Sequence, residues 1–166
     1  MEPYTVRVIY GDTDQMGVVY YANYLRFFEG ARGHFIRNLG LSYSEIERRG
    51  ILLPVLEASV QYLKSARYDD VLVVHLSHTR TRVKIRFDYK VHRQADDAVL
   101  ALGHTVHVCV GPELKPTRAP DWLLEKLDAA GRAEPRSAAL EEAGGFADGR
   151  AEPRSGAALE EARRNG

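Results

Sequence analysis

The sequence predicts an α+β fold in which a curved, five-stranded antiparallel sheet wraps around one long central helix. Three observations lead to this prediction: a heavily apolar helical pattern over 22–39, a two-residue apolar period over most of 52–110, and tight turns between the strands. An antiparallel sheet has to bury its apolar face, and the helix is the large apolar element available to cover it.

The first two elements are a short strand and the long helix. Apolar and polar residues alternate from Tyr4 to Tyr10, which is typical of a strand, and Gly11 ends it. After the loop 11–17, large apolar residues recur at steps of three and four: Tyr24, Phe28, Ala31, Phe35 and Leu39. This spacing predicts a buried helix over 22–39.

The remaining elements follow in chain order. Ser42 and Glu45 form a capping box that opens a short helix ending at Gly50. A strand then runs over 52–62, where Pro54 indicates a bend or a sheet edge. Further strands and a closing helix are predicted at 71–77, 81–92, 100–110 and from Pro120 onward.

Length and composition limit the class of protein. With 166 residues and 18.6 kDa, the chain can bury a core without disulfides or a structural metal. The balance of 23 basic and 23 acidic residues argues against a nucleic-acid partner, and the single Cys109 fits a reducing compartment. The first residues lack a signal-peptide pattern, and the apolar runs are too short to span a membrane. We therefore expect a cytoplasmic protein without membrane insertion.

A break in composition divides the chain near residue 130. Of the 15 aromatic residues, 14 lie within 1–130, so we expect a folded domain there and an appendage over 131–166 that is rich in Ala, Gly, Glu and Arg. The appendage repeats itself, since the segment 131–137 returns at 149–155. Two short helices are predicted within it, at 138–143 and 157–164.

The loop before the long helix carries two acidic residues, Asp12 and Asp14. A calcium-binding loop would require other residue types where Met16 and Asn23 stand. An Asp-x-Asp phosphotransferase would require a parallel sheet, which the two-residue alternation contradicts. Two interpretations stay open at this point: these carboxylates take part in chemistry, or they only cap the loop and the helix start.

Several segments together resemble a known family. The segment YGDTDQMGVVYYANYLRFFEGAR at 10–32 closely resembles the signature of the hotdog-fold acyl-CoA thioesterases of the 4-hydroxybenzoyl-CoA thioesterase and YbgC-like group. Segments 65–70, 108–110 and 115–120 resemble later landmarks of that family, in the expected order. The resemblance extends over about residues 4–128, leaves the tail outside, and implies hydrolysis of an acyl-CoA thioester.

The resemblance also implies roles for individual residues. Asp14 corresponds to the catalytic carboxylate, which acts as nucleophile on the thioester carbonyl or as general base toward water. Asp12 would have a supporting part at most. The backbone N–H of Tyr21, at the helix start, would stabilise the oxyanion, and Gly17 would let the loop approach the thioester closely.

Two observations refine this assignment. The position of Tyr21 is commonly His in the YbgC-like branch and Tyr in the 4-hydroxybenzoyl-CoA branch, which weakens an assignment to the Tol–Pal-associated branch. The backbone role is possible with either side chain. Hydratases of this fold need a His paired with a carboxylate, whereas no histidine precedes His34 in this sequence, so dehydration is disfavoured.

The substrate would bring its own coenzyme A, so no separate cofactor is expected. Four cations share one face of a predicted strand: Arg80, Arg82, Lys84 and Arg86. The family binds the nucleotide end of CoA partly through basic residues around this hairpin, and we expect Arg80, Arg82 and Lys84 to hold the phosphates. The pattern also fits the solvated face of an amphipathic strand, so both interpretations stay open.

Other titratable residues have simpler explanations. Glu57 fits the solvated face of a strand, although some hotdog thioesterases place their acid on a later element. His75 and His78, like His104 and His107, are three residues apart on predicted strands and point to opposite faces. We therefore expect no metal site.

Two further expectations concern partners and function. The long sheet edges need to be covered or paired, so we expect a homodimer or homotetramer. The alternative to an enzyme is a non-catalytic acyl-CoA-binding or scaffold module of the same fold. The intact loop around Asp14 argues against that alternative.

Overall fold

A computed structural model describes residues 2–131, which form one antiparallel sheet and three α-helices. The sheet order is β1-β3-β4-β5-β2, and each neighbouring pair is antiparallel. The α+β architecture predicted from the sequence is therefore confirmed. The elements are β1 (Tyr4–Arg7), a 3-10 turn (Tyr10–Asp12), α1 (Asn23–Asn38), α2 (Tyr43–Arg48), β2 (Val55–Tyr62), β3 (Val71–Arg80), β4 (Lys84–Arg93), β5 (Val99–Val108) and α3 (Asp121–Ala129).

The helix α1 forms the centre of the core. Its predicted apolar positions are buried, and Phe28 stacks flat on Tyr89 of β4 with 4.2 Å between the ring centroids. Gly103 of β5 allows this approach, because a Cβ there would lie 2.5 Å from the Phe28 ring. The predicted helix 22–39 is confirmed to within one residue at each end.

One predicted strand has the wrong boundary. The prediction of a strand over 81–92, with Arg80, Arg82, Lys84 and Arg86 on one face, is wrong because β3 ends at Arg80 and β4 begins at Lys84. The hydroxyl of Thr81 accepts the N–H groups of Val83 and Lys84, at 3.2 and 3.0 Å. These local bonds replace ladder bonds and make the turn.

The strand β2 forms one edge of the sheet, with β5 as its neighbour, in line with the edge that Pro54 indicates. It begins at Val55, after Pro54 and three residues later than predicted. Large apolar side chains along and just after it are exposed: Val55, Leu56, Tyr62 and Leu63. These exposed apolar side chains are not covered by residues 2–131. The edge position is consistent with this exposure, since β2 has a partner on one side.

The C-terminal tail beyond residue 131 is not described by the structure. The helices predicted within the tail at 138–143 and 157–164 lie outside the described residues, and the division of the chain near residue 130 stays a prediction. Between residues 2 and 131, no helix has the length and apolar character needed to cross a membrane.

Candidate functional site

The loop that carries Asp14 is a tight turn. The Asp14 N–H donates to the carbonyl of Val18, and the Gly17 N–H donates to the carbonyl of Asp14, both at 2.9 Å. Gly17 has φ +70°, a conformation that glycine adopts without strain. The N–H of Met16 donates to Asp14 Oδ1 at 2.8 Å. This bond holds one oxygen of the half-buried carboxylate, while Oδ2 has no hydrogen-bond partner among residues 2–131.

Asp12 has a different environment, although it lies two residues away. It is 2% exposed, and its carboxylate accepts the Ile9 N–H at 3.0 Å and pairs with Arg26 of α1. Its carbonyl accepts the N–H of Tyr20 at 2.8 Å and the side-chain amide of Asn23 at 2.9 Å. Asp12 therefore ties the loop to the start of α1, consistent with the supporting part expected of it.

The start of α1 presents the backbone of Tyr21. Asn23 and Tyr24 donate their N–H groups three residues back, to the carbonyls of Tyr20 and Tyr21, at 2.9 and 3.4 Å. The Tyr21 N–H precedes the helical hydrogen bonds and has no acceptor within the described part of the chain. An unpaired N–H at the positive end of a helix is suited to a developing negative charge.

Asp14 and Tyr21 line the same cavity, which has a volume of about 320 Å³. The other lining residues come from the loop, from α1, from the end of β2 and from the segment after it: Met16, Val18, Val19, Tyr24, Tyr62, Leu63, Lys64 and Ser65. The Val19 N–H donates to the carbonyl of Ala66 at 2.8 Å and joins the two segments. The cavity thus combines a carboxylate, a free amide and a largely apolar wall.

A larger groove, of about 930 Å³, runs along the outer face of α1. Its lining includes Arg26, Gly30 and Gly33 of the helix, together with Tyr43 of α2 and Asp12. The carboxylate of Asp12 is already bonded there, and although Glu29 and Glu47 also line the groove, the unpaired amide of Tyr21 does not. We therefore place the candidate site in the smaller cavity, where a carboxylate oxygen and an amide are both available.

The three predicted phosphate-binding cations lie in one hairpin but have different surroundings. Arg80 ends β3, is 11% exposed and binds both carboxylate oxygens of Asp128 in α3, with Nε 3.0 Å from Oδ1. Arg82 lies in the turn, where its carbonyl accepts the Ala119 N–H at 2.8 Å. Lys84 begins β4, and the residue is exposed like Arg82. Their role toward CoA stays a prediction, and Arg80 is the one already engaged in an ion pair.

Glu57 and the two histidine pairs of the predicted strands lie outside the cavity lining. Glu57 is 59% exposed and lies 2.7 Å from His104 Nε2, and this hydrogen bond lowers the pKa of Glu57. His78 and His107 are buried in the core, whereas His75 and His104 are not, so each predicted pair does point to opposite faces. Across the described range, no group of three or more His, Cys, Asp or Glu side chains could hold a metal ion.

Sequence reasoning missed the stretch of cavity wall formed by four consecutive residues: Tyr62, Leu63, Lys64 and Ser65. Tyr62 was assigned only to a strand, and Ser65 only to a family landmark. The sequence did contain a pointer to these residues. The segment 65–70 resembles a family landmark and closely follows the predicted strand, which suggests that the end of the strand lies near the site. Tyr21 and Tyr62 are 41 residues apart in the sequence, so no local pattern predicts their contact.

Comparison with known proteins places the chain in a family. Residues 8–127 match the thioesterase-like superfamily. The chain is 33% identical over 124 residues to the acyl-CoA thioester hydrolase YbgC of Escherichia coli O157:H7, covering 74% of this chain and 92% of the relative. It is 30% identical over 133 residues to a 1,4-dihydroxy-2-naphthoyl-CoA hydrolase of Thermosynechococcus vestitus, covering 78% and 90%.

The solved structures agree with the sequence comparison. A 1,4-dihydroxy-2-naphthoyl-CoA thioesterase from Synechocystis superposes with a TM-score of 0.73 at 28% identity, covering 76% of this chain and 95% of that one. The resemblance carried by residues 10–32 is thus confirmed. The chain belongs to the thioesterase-like superfamily and is a hotdog-fold thioester hydrolase.

Proposed function

We propose that this chain hydrolyses an acyl-CoA thioester to the free acid and CoA, with Asp14 and the backbone N–H of Tyr21 as its reacting groups. The observation that carries the proposal is their position on one cavity of about 320 Å³. The named activities of the relatives support the thioester as the bond that is broken.

Asp14 supplies the carboxylate that attacks or activates. As nucleophile, its oxygen bonds to the thioester carbonyl carbon, CoA leaves as thiolate, and water then cleaves the resulting anhydride. As general base, it takes a proton from the water that attacks the same carbon. Either route needs one free oxygen, and the bond from Met16 leaves Oδ2 available. A weak base is sufficient because a thiolate is a good leaving group.

Tyr21 supplies the oxyanion donor through its backbone. Negative charge grows on the thioester oxygen as the carbonyl carbon becomes tetrahedral, and the unpaired N–H at the start of α1 is suited to meet it. The side chain is not required for this role, so a tyrosine serves as well as a histidine. Gly17 is not itself part of the cavity lining, but its φ of +70° forms the turn beside Asp14, which we expect to let the loop approach the thioester closely.

CoA enters as part of the substrate, and we propose that the hairpin cations hold its phosphates. Arg82 and Lys84 are exposed and lie at the tip of the β3–β4 hairpin. Arg80 would contribute less, since its guanidinium already binds Asp128. This proposal requires no cofactor besides the substrate itself.

We propose that the working form is a homodimer or homotetramer. The exposed apolar side chains of Val55, Leu56 and Leu63 lie along and just after the edge strand β2, whose outer side pairs with no other strand among residues 2–131. A second copy of the chain would cover both. The cytoplasmic location expected from the sequence also stays a prediction.

A panel of acyl-CoA thioesters tests the proposed reaction. Short, medium, branched and aromatic acyl-CoA compounds are incubated with the protein, and the release of free thiol is followed with a thiol reagent. We expect turnover of at least one class. If no member of the panel releases thiol but acyl-CoA still binds, the chain is instead a non-catalytic acyl-CoA-binding module.

A further inference from the structure

Tyr62 connects the edge strand β2 to the start of α1. Its hydroxyl donates a hydrogen bond to the carbonyl oxygen of Tyr21 at 3.0 Å. Its ring meets the ring of Tyr24 edge-on, with 5.3 Å between the centroids. The side chain is therefore held at both its ring and its hydroxyl, and it lines the cavity that contains Asp14.

The Tyr21 carbonyl depends on this contact because the helix itself holds it weakly. An α-helical carbonyl normally accepts an N–H from four residues later. That of Tyr21 accepts the N–H of Tyr24, only three residues later and at 3.4 Å. Ala22 is the N-cap residue, and its methyl group cannot accept a hydrogen bond. The Tyr62 hydroxyl thus makes the shorter of the two bonds to this oxygen.

We infer that Tyr62 is a positioning residue for the oxyanion donor, an inference that rests on the proposed function. The N–H and the carbonyl of Tyr21 lie in two peptide planes that meet at the Tyr21 Cα. The Asn23 N–H holds the first plane through the Tyr20 carbonyl at 2.9 Å, and the Tyr62 hydroxyl holds the second, so the two bonds together fix the backbone on both sides of Tyr21. An amide held in place before the reaction stabilises the developing charge better than one that has to be ordered during it. Tyr62 acts through Tyr21 and does not itself need to touch the reacting atoms.

The variant Tyr62→Phe tests this role, because it removes the hydroxyl and keeps the ring. We expect the single-turnover rate constant and kcat to fall about tenfold, while KM stays within about twofold. The affinity for a thioether analogue of the substrate, which lacks the carbonyl oxygen, should not change. The matched control is Tyr68→Phe, since Tyr68 is 61% exposed and its ring packs on Tyr10 outside the cavity.

The outcomes separate the inference from the proposed function. A wild-type rate in Tyr62→Phe overturns the positioning role, and so does a loss that appears only in KM or in affinity for the thioether. Failure of the proposed function shows elsewhere, as full turnover by Asp14→Asn. If Asp14→Asn loses turnover while Tyr62→Phe keeps it, only the positioning role is overturned.

Discussion

The imidazole of His107 lies with Nδ1 2.9 Å from the backbone carbonyl oxygen of Leu53. A carbonyl can only accept, so Nδ1 carries the ring proton, and Nε2 accepts from the hydroxyl of Thr105 at 3.1 Å. The neutral ring is satisfied on both sides and is 1% exposed. Burial lowers the pKa of His107 to about 4, because a charged ring would have to be desolvated.

This histidine predicts a loss of stability in mild acid. Its pKa is lower in the folded state than the ordinary value of 6.5, so the unfolded chain takes up the proton first. The contribution is complete above about pH 6.5 and is lost as the pH falls toward 4. We expect the free energy of unfolding to fall by roughly 2 kcal/mol between pH 7 and pH 5 from this group alone.

Urea denaturation at the two pH values measures this effect. The variant His107→Gln cannot titrate but keeps a donor and an acceptor for Leu53 and Thr105. It should lose most of the pH dependence, whatever its stability at pH 7. An unchanged pH dependence in the variant would assign the effect to other groups.

We expect a single methyl group added at Gly103 to lower the stability of the fold strongly. A Cβ at this position would lie 2.5 Å from both the Phe28 ring and the carbonyl oxygen of Ser59. We expect Gly103→Ala to lower the free energy of unfolding by about 2 kcal/mol, measured by thermal or urea denaturation. Gly111→Ala is the control, since a Cβ there meets no described atom within 4 Å. Equal losses in the two variants would rule out the Phe28 contact as the cause.

Replacing Asp14 by Asn should abolish most of the activity without unfolding the protein. The amide oxygen can still accept the Met16 N–H, so the turn is kept, but the side chain can neither attack nor take a proton. We expect kcat to fall at least about a hundredfold, with acyl-CoA binding unchanged. Near-full activity here, combined with loss in Asp12→Asn or Glu57→Gln, would show that a different carboxylate carries the reaction.

The double variant Arg82→Ala/Lys84→Ala tests the hairpin. If these cations hold CoA phosphates, KM for acyl-CoA should rise about tenfold while kcat barely moves, because remote phosphates are bound equally in the ground and transition states. A thioester of N-acetylcysteamine, which has no nucleotide, should show little change. Lys115→Ala serves as the control, since Lys115 is an exposed cation on another loop. Equal losses with both substrates would contradict phosphate binding.

Deletion of 131–166 should leave the thermal midpoint nearly unchanged. The prediction rests on composition, since the segment offers a core little beyond Phe146, Leu140 and Leu159. Differential scanning calorimetry of the full and shortened chains measures the effect. A fall of more than about 5 °C would show that the appendage stabilises the domain or its assembly.

The sequence predicted best what depends on near neighbours in the chain. The helix α1 was found because three- and four-residue spacing creates its buried face, and the alternation of β4 was found in the same way. The β3–β4 turn was predicted about three residues too early because the Thr81 hydroxyl sets its position, and the bonds of a hydroxyl are not visible in an apolar period. Exposure of Leu56 does not follow from the apolar period, which shows which side chains share a face but not whether another element covers that face.

The same distinction applies to the candidate site: its residues that are close in sequence were predicted, and its distant ones were not. Asp14, Gly17 and Tyr21 lie within eight residues of one another, so a single motif contains them. Tyr62 and Lys64 reach the cavity from the far side of the sheet, through a pairing of β2 with β5 that no local pattern encodes.

The two aspartates of the loop lie two residues apart, and under the proposed function Asp12 serves the fold whereas Asp14 serves the reaction. Asp12 has its carboxylate and carbonyl oxygens engaged, so a change there acts through the amount of folded protein. Asp14 keeps an oxygen free, so under the proposed function a change there would act through the rate of each folded molecule. Mutations at the two positions would therefore be selected for different reasons, one for the amount of folded protein and the other for its activity. A homologue that has acquired a new reaction could replace the second aspartate while still needing the first.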